Sequence, residues 1–407
     1  MKDLATKNTK DTKKAWPLVR LGDVCEIVLG GTPSTKNPEY WGGSIPWLTP
    51  GDMGKIKGLY VSSTSRTITS KGLDAGSSLF PKASVIVSTR APIGYVLINA
   101  LPMCTNQGCK TLVPNSNIVP EYLAYNLIGR NEELNALGTG TTFKELATGV
   151  LKNLSIPLPP LTVQREIVAR LEKELGEADK LAAKFKRVAE LADDAFKAEL
   201  DETFKALEDN SRRDAETRRV SLGDVCEMCL GKMLDKNKNT GLPRKYLRNV
   251  NVRWGSFDFS DLLEMRFEND ELERYGLKTG DLVVCEGGEP GRCAIWYEQK
   301  AGMLIQKALH RLRPSNNVLS EYLYYFFCKS AHDGTFEKYF TGTTIKHLTG
   351  VVLRKIQFHL PHLAAQRAIV EKLDAAKERC EKLKAAAMRG LAAAENLRKA
   401  ILAEAFE

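Results

Sequence analysis

Cysteine and histidine are the residues of this chain whose spacing comes nearest to a chemical site. Cys226 and Cys229 have the CxxC spacing of half a zinc site, but no second CxxC pair or nearby histidine completes four ligands. The 5 histidines all lie in the second half of the chain, and none forms an HExxH arrangement. Gly138-Thr139-Gly140 lacks the rest of a dinucleotide-binding fingerprint, and the sequence contains no Asn-Pro-Pro-aromatic motif. We therefore predict that the chain has no catalytic residue and binds no metal.

Basic residues that could contact a polyanion are concentrated between Gly231 and Arg253, a segment that contains one acidic residue, Asp235. Lysine attracts backbone phosphates whatever the base sequence, whereas arginine and asparagine can also reach base edges. The alternative interpretation of such a segment is an ordinary solvated loop. We predict that it binds DNA through Lys232, Lys236, Lys238, Arg244, Lys245, Arg248, Asn249 and Arg253.

The first half of the chain contains a less basic set of DNA-binding candidates. They are Lys36, Asn37, Trp47, Thr49, Lys55 and Lys57. The glycine-rich run Gly30–Lys36 lacks the spacing of a phosphate-binding P-loop, and we interpret it as a turn. Further candidates for groove contacts are Ser88, Thr89 and Arg90, and Arg292 in the turn Glu286–Arg292. Lys144 and Lys346 follow paired threonines, and either touch phosphate or cap the start of a helix.

These candidates belong to a unit that occurs twice. Four landmarks return in the same order about 200 residues later, which is too regular for chance similarity. The paired landmarks are Leu21–Glu26 with Leu222–Glu227, Glu121–Leu123 with Glu321–Leu323, Gly140–Thr142 with Gly342–Thr344, and Gln164–Val168 with Gln366–Val370. Between the landmarks the halves differ, and Gly31–Tyr60 shares almost nothing with Gly231–Arg253. The repeat predicts one scaffold that carries two unlike binding segments.

Each copy has the pattern of an α+β domain followed by a long helix. Strands are predicted at Ser84–Ser88, Tyr95–Ile98, Leu282–Cys285 and Cys293–Trp296, and short helices around Glu121–Gly129 and Glu321–Lys329. Each domain closes on an apolar strand, Leu154–Leu158 or Ile356–Leu360, which is followed by proline. The fold class is therefore predicted as two similar α/β domains, each joined to a long helix.

The segments after those prolines carry heptad patterns without an interior proline. The predicted seams are Val168, Leu171, Leu175, Ala178, Ala182, Phe185, Ala189, Ala192 and Phe196, and Ile369, Leu373, Ala376, Cys380, Leu383, Ala387, Gly390, Ala394, Leu397 and Ile401. Since Asp209–Arg219 is too short for a return connection, we predict an intramolecular antiparallel coiled coil. The predicted boundaries are a disordered basic tail over 1–15, domains over 16–160 and 211–361, and spacer helices over 161–210 and 362–407.

Composition fits a cytoplasmic protein with a polyanionic partner. The net charge is +9 and the isoelectric point is about 8.9, which permits a nucleic-acid partner. The odd count of 9 cysteines, scattered among apolar residues, indicates reduced thiols. No apolar run approaches the roughly 20 residues that cross a bilayer, so we predict no membrane association.

Two places in the sequence resemble a known family. Pro157–Val168 looks like the joint between a target-recognition domain and its spacer helix in specificity subunits of Type I restriction–modification systems. Gly30–Ser34, with Ile45–Trp47 and Gly51-Asp52, looks like the opening of such a domain. The second copy departs from this pattern, because His362 stands where the first copy has Pro160 and its opening lacks the Gly-Thr-Pro run.

The resemblance implies a DNA-recognition subunit with no catalysis of its own. Each domain would read one half of a bipartite, asymmetric target in double-stranded DNA. The implied partners are two adenine methyltransferase subunits and endonuclease–translocase subunits. S-adenosylmethionine, ATP and Mg²⁺ would be bound by those partners and not by this chain. Two alternatives stay open: a self-sufficient DNA methyltransferase or nuclease, and a coiled-coil scaffold that binds nucleic acid.

Overall fold

The computed structural model describes residues 16–140, 144–211, 217–235, 239–342 and 346–406. These residues cluster into two compact units. The described residues up to 184 together with 390–406 form unit 1, and the described residues between 185 and 389 form unit 2. The tail predicted over residues 1–15 lies outside the described residues.

Unit 1 contains ten described strands and six short helices. The strands are β1 (Leu18–Arg20), β2 (Cys25–Leu29), β3 (Trp41–Leu48), β4 (Tyr60–Val61), β5 (Arg66–Ile68), β6 (Val85–Thr89), β7 (Ile93–Asn99), β8 (Cys104–Thr105), β9 (Cys109–Pro114) and β10 (Ser155–Pro157). The helices are α1 (Leu21–Val24), α2 (Pro50–Met53), α3 (Ser70–Asp74), α4 (Pro120–Gly129), α5 (Asn131–Ala136) and α6 (Thr148–Asn153), with a 3-10 turn at Pro38–Tyr40. The long helix α7 (Leu161–Ser211) follows and continues into the residues of unit 2.

Strand β6 is the centre of unit 1. Its residues are all buried, because it lies between β9 and β7 in a five-stranded sheet of order β2-β9-β6-β7-β4. A strand buried on both faces needs a continuous apolar run rather than an alternating one, and Val85-Ile86-Val87 supplies it. A second sheet has the order β5-β3-β8. Leu123 and Leu127 of α4 and Leu171 of α7 complete the main core.

Unit 2 contains eleven described strands and four short helices. The strands are β11 (Arg218–Ser221), β12 (Cys226–Leu230), β13 (Leu242–Leu247), β14 (Val252–Arg253), β15 (Ser256–Phe257), β16 (Leu263–Phe267), β17 (Leu282–Cys285), β18 (Cys293–Ile295), β19 (Leu304–Ile305), β20 (Leu309–Pro314) and β21 (Gln357–Leu360). The helices are α8 (Leu222–Val225), α9 (Glu271–Tyr275), α10 (Ser320–His332) and α11 (Gly350–Arg354), with 3-10 turns at Asn249–Asn251 and Glu337–Tyr339. The long helix α12 (Leu363–Phe406) follows, and its last residues belong to unit 1.

The two units repeat one topology, which confirms the predicted duplication. The sheet order β12-β20-β17-β18 matches β2-β9-β6-β7, and the order β16-β13-β19 matches β5-β3-β8. Each unit also closes on a two-stranded sheet, β1-β10 or β11-β21. Unit 2 adds the hairpin β14-β15, whose first strand is the end of the stretch Gly231–Arg253.

Helices α7 and α12 pair in antiparallel fashion within each unit, as predicted. In unit 2, Lys384 bonds Asp193 at 2.8 Å, and Lys372 bonds Thr203 at 3.1 Å, so the numbering of one helix falls as that of the other rises. In unit 1 Arg398 bonds Asp179 at 2.5 Å. No described helix is long and apolar enough to cross a membrane.

The predicted seam of α7 is buried or half-buried along its length, but that of α12 is wrong at two positions. Leu383 and Leu397 are 49% and 47% exposed, whereas Ala387 and Ala394 are buried. The small side chains of Ala387 and Ala394 let the partner helix approach closely. The larger side chains of Leu383 and Leu397 do not fit into so close a contact and remain exposed. The heptad pattern alone does not distinguish these two arrangements.

A glutamine fixes the start of each long helix to its domain. Gln164 is buried, and its Oε1 accepts a hydrogen bond from the Val119 amide at 2.8 Å. Its Nε2 donates to the carbonyls of Asn117 at 3.0 Å and Pro159 at 2.8 Å. Gln366 makes the equivalent three bonds, with Leu319, Asn317 and Pro361. The glutamine of the repeated joint is therefore structural.

Candidate nucleic-acid interface

Four polar segments of unit 1 are joined by hydrogen bonds into a continuous border, which we call loop edge 1. They are residues 30–37, 88–92, 106–108, and 139–140 with 144–145. The Gly31 amide donates to the Thr105 carbonyl at 2.8 Å, beside the 106–108 turn. The Thr89 amide donates to the Gly108 carbonyl at 2.7 Å, and Arg90 forms a β-bridge with Glu145. The fold thus brings together candidates that lie far apart in sequence.

Arg90 is held by an acid on loop edge 1. Its guanidinium pairs with Glu145 at 2.8 Å, and this hydrogen bond holds the pKa of the Glu145 carboxyl below its usual range. Lys110, which is buried, contacts the same carboxylate at 3.3 Å. Arg90 is exposed, but the Glu145 carboxylate neutralises part of the positive charge that Arg90 would present to a DNA phosphate.

The glycine-rich run of loop edge 1 packs against backbone. A Cβ atom at Gly30 would lie 1.9 Å from the Asn106 carbonyl oxygen, and one at Gly31 would lie 2.0 Å from the Gly76 carbonyl oxygen. The Gly31 carbonyl also accepts a hydrogen bond from the Trp47 indole at 2.9 Å. These glycines are needed for close approach of chain segments, which fits the predicted turn.

The other candidates of unit 1 divide into interior and exposed side chains. Trp47 is 3% exposed, and Ser88 and Thr89 are fully buried, which argues against direct DNA contact by these three side chains. Trp47 lies in β3, and Ser88 and Thr89 lie in β6. Their side chains face the interior of the domain and are not part of its exposed surface. Asn37 and Thr49 act as N-caps of short helices. Lys36, Lys55, Lys57 and Lys144 are exposed.

Unit 2 has the corresponding border, loop edge 2. It comprises residues 231–235, 286–292, 306–308, and 341–342 with 346–347. The Lys307 amide donates to the Lys232 carbonyl at 2.9 Å, and the Glu286 amide donates to the Ala308 carbonyl at 2.9 Å. Gly287 forms a β-bridge with His347. Both units therefore present the same four-part arrangement with different side chains.

Most predicted arginines of unit 2 are held by carboxylates. The pairs are Arg248 with Asp261 at 2.6 Å, Arg253 with Asp258 at 3.3 Å, and Arg292 with Glu289 at 2.8 Å. Lys232 is buried and pairs with Glu271, which argues against a DNA contact by its side chain. Arg244 and Asn249 are half-buried, while Lys245 and Lys346 are exposed. Lys236 and Lys238 lie outside the described residues.

Lys144 and Lys346 do not cap helices in the structure. The helices that follow them, α6 and α11, have Ala147 and Thr349 as their N-cap residues. Both lysines are exposed, and the alternative of a phosphate contact stays a prediction.

Two residues of the loop edges were missed by sequence reasoning. Gln107 of loop edge 1 bonds Thr32 through its side chain, and Lys307 occupies the equivalent turn of loop edge 2. Both side chains are exposed. Each lies in a short turn between two strands and not in a cluster of basic residues. A search for basic clusters in the sequence therefore does not find them. Their only sequence signal was their position in the repeat.

The cysteines of the CxxC spacing are poorly suited to bind zinc. Burial raises the pKa of the Cys226 thiol to about 12, which disfavours the thiolate that zinc requires. The side chain of Cys229 contacts the Leu230 carbonyl at 3.3 Å. Among the described residues, no group of three or more His, Cys, Asp or Glu side chains could hold a metal ion.

Comparison with known proteins identifies the family. The model of the Type I restriction modification DNA specificity domain matches residues 13–183 and 215–387, once in each half of the chain. The chain belongs to this family. It therefore contains two copies of the DNA specificity domain, and loop edges 1 and 2 are surfaces of those two copies.

Individual relatives in this family match at different lengths. The MjaIX specificity subunit of Methanocaldococcus jannaschii is 40% identical over 161 residues, which cover 39% of this chain and 37% of that protein. The EcoR124I/EcoR124II specificity subunit of Escherichia coli is 35% identical over 162 residues, 38% of this chain and 39% of that protein. These two matches thus span less than half the length of either relative. The MjaVIII specificity subunit of M. jannaschii is 23% identical over 376 residues, 88% of this chain and 85% of that protein.

Solved structures of the family share the fold. The HsdS subunit from Thermoanaerobacter tengcongensis has a TM-score of 0.56 at 20% identity and covers 99% of both chains. A chain from a study of complex assembly and conformational transition in the type I R-M system has a TM-score of 0.75 at 20% identity. That match covers 97% of this chain and 98% of the other.

Proposed function

We propose that this chain is the DNA-recognition subunit of a Type I restriction–modification complex, and that each domain reads one half of a bipartite target. The observation that carries the proposal is that both units place unlike polar side chains on the same four-part loop edge. A shared scaffold with different edges suits two readers of different sequences, because base recognition depends on the side chains presented to a groove.

The proposed partners are double-stranded DNA, two adenine methyltransferase subunits and endonuclease subunits. The duplicated scaffold supports two methyltransferases, since it offers each of them a like surface. S-adenosylmethionine, ATP and Mg²⁺ would then be bound by those partners, and the expected cytoplasmic location stays a prediction. A self-sufficient methyltransferase is the competing function. Methyl transfer to DNA by the purified chain with S-adenosylmethionine, in the absence of any other subunit, would establish that competitor.

Exposed lysines on the two loop edges provide the direct test of DNA binding. We expect a variant with alanine at Lys36, Lys144, Lys307 and Lys346, all exposed, to bind duplex DNA more weakly than the wild-type chain at every sequence. The slope of log affinity against log salt is negative, and each lost phosphate contact should reduce its magnitude by about 0.9. The measurement is a titration of the full-length chain with labelled duplex at several salt concentrations.

A matched control for this test is Lys82→Ala. Lys82 is an exposed lysine that precedes β6. Residues 88–92 of loop edge 1 lie at the other end of that strand, so Lys82 is remote from this segment. The control should bind DNA as the wild-type chain does. Equal affinity and equal salt slope for the four-lysine variant and the wild-type chain would contradict the proposed surface.

A further inference from the structure

Arg66 of β5 is an exposed arginine that rests on an aromatic platform. Its guanidinium carbon lies 3.6 Å from the centre of the Trp41 ring and 5.4 Å from that of Trp47. The two tryptophans pack edge to face, with ring centres 5.0 Å apart. Their indole nitrogens donate to backbone carbonyls, that of Trp41 to Ser34 at 3.2 Å and that of Trp47 to Gly31 at 2.9 Å. The platform is therefore fixed to the backbone of loop edge 1.

Arg66 differs from the other arginines between residues 16 and 160 in its electrostatic surroundings. The others pair with carboxylates: Arg20 with Asp23, Arg90 with Glu145, and Arg130 with Glu133. Within the described part of the chain, no ion pair joins Arg66 to an acid. A guanidinium stacked on a ring keeps the N–H donors at its rim available. The stack on the tryptophans thus orients Arg66, while no carboxylate neutralises its charge and its N–H donors remain available.

The scaffold does not require an arginine at this position. In unit 1, Arg66 is the cross-strand partner of Trp47 between β5 and β3. In unit 2, the same register between β16 and β13 pairs Leu263 with Tyr246. Since the second copy of the fold accepts leucine there, the shared topology does not require arginine at this position.

We propose that Arg66 reads a guanine in the half of the target that unit 1 contacts. The O6 and N7 atoms of guanine accept two parallel N–H bonds in the major groove, and a guanidinium presents donors at the matching spacing. The stack on Trp41 orients the fork before DNA arrives, which lowers the entropy lost on binding. This inference rests on the proposed function, because it presumes that loop edge 1 faces DNA.

The test compares Arg66→Lys with the wild-type full-length chain. Each protein selects from a library of duplex DNA with randomised positions, and the bound fraction is sequenced. Lysine keeps the positive charge but loses the planar fork, so we expect the preference for guanine at one position to fall roughly 10- to 100-fold. Preferences at all other positions should be unchanged. Trp41→Leu, which removes the stack and keeps the arginine, should weaken the same preference to a smaller extent.

The outcomes separate this inference from the proposed function. A wild-type chain that selects a bipartite sequence, with Arg66→Lys selecting the same sequence equally strongly, would overturn the role of Arg66 alone. An even loss of affinity for all sequences would make Arg66 a phosphate contact and would also overturn guanine readout. A wild-type chain that selects no sequence would contradict the proposed function itself. The control Lys82→Ala should select the wild-type sequence.

Discussion

At the scale of single residues, Lys110 shows how charge is organised beneath loop edge 1. Its side chain is only 4% exposed, and its ammonium donates to the Leu146 carbonyl at 2.6 Å and to Thr89 at 3.3 Å. Glu145 provides the opposite charge and also holds Arg90. A buried ammonium without a nearby carboxylate is unfavourable. Glu145 therefore stabilises the buried Lys110 at the border of the proposed interface.

Glu145 predicts a pH-dependent contribution to stability. Hydrogen bonding to Arg90 lowers the pKa of this carboxyl in the folded chain from the ordinary value of 4.5. A lowered pKa means that the stabilisation is complete above the unfolded value and is lost as pH falls through the folded value. The free energy of unfolding of the wild-type chain should therefore exceed that of Glu145→Gln at pH 7, and the difference should shrink below about pH 4.5.

Urea unfolding of both proteins over a series of pH values checks this prediction. Glu26→Gln, which changes an exposed glutamate of β2, is the control and should follow the wild-type curve. A difference between wild type and Glu145→Gln that stays constant down to acidic pH would show that the carboxylate charge is not involved.

The sequence located the basic residues but could not show which of them are neutralised. Arg248 and Arg253 stand in a segment with a single acid, yet each pairs with an aspartate that follows the segment. Trp47 stands among the DNA-binding candidates of the first half of the chain, but the fold buries it beside Trp41. Arg66 lies outside every basic cluster, and only the register of β5 with β3 brings it to the platform.

At the scale of elements, the buried glutamines that begin the two long helices are the feature most open to test. Replacement of Gln164 by leucine removes three hydrogen bonds and leaves the Val119 amide and two carbonyls without their partner. Because each buried polar group left unpaired costs about 1–3 kcal/mol, we expect Gln164→Leu to lower the free energy of unfolding by about 2–4 kcal/mol. Circular dichroism during urea unfolding measures the change.

The neighbouring residue gives a matched control for this substitution. Arg165 is exposed near the start of α7, so Arg165→Ala should change the free energy of unfolding by less than about 0.5 kcal/mol. Equal stability of Gln164→Leu and Arg165→Ala would contradict the structural role of the glutamine. Gln366→Leu should reproduce the effect of Gln164→Leu, since its three bonds are equivalent.

Most elements could be predicted where the local pattern is strong. The predicted run Leu282–Cys285 is strand β17, and the predicted short helices coincide closely with α4 and α10. The small sheets β5-β3-β8 and β16-β13-β19 could not be predicted, because their strands pair across long loops with little alternation. The prediction that Leu383 lies in the α12 seam is wrong for a related reason. How closely the two helices approach at an alanine depends on the partner helix, which the sequence of α12 alone does not describe.

At the scale of the whole molecule, the duplication separates scaffold from specificity. The shared topology and the repeated glutamine joint belong to both copies, whereas Arg66 and Leu263 mark a position where the copies differ. If each copy reads DNA independently, exchange of the segment Gly231–Arg253 for that of another family member should change one half of the target only. Library selection checks this, and a simultaneous change in both halves would contradict independent readout.

The proposed role of this chain, to direct DNA methylation to a bipartite target, is tested by mapping methylated adenines across the genome. The map is made in cells with this chain and in cells from which it has been deleted. We expect one two-part motif whose adenines are methylated in the first cells and unmethylated in the second. An identical methylation map in both would contradict it.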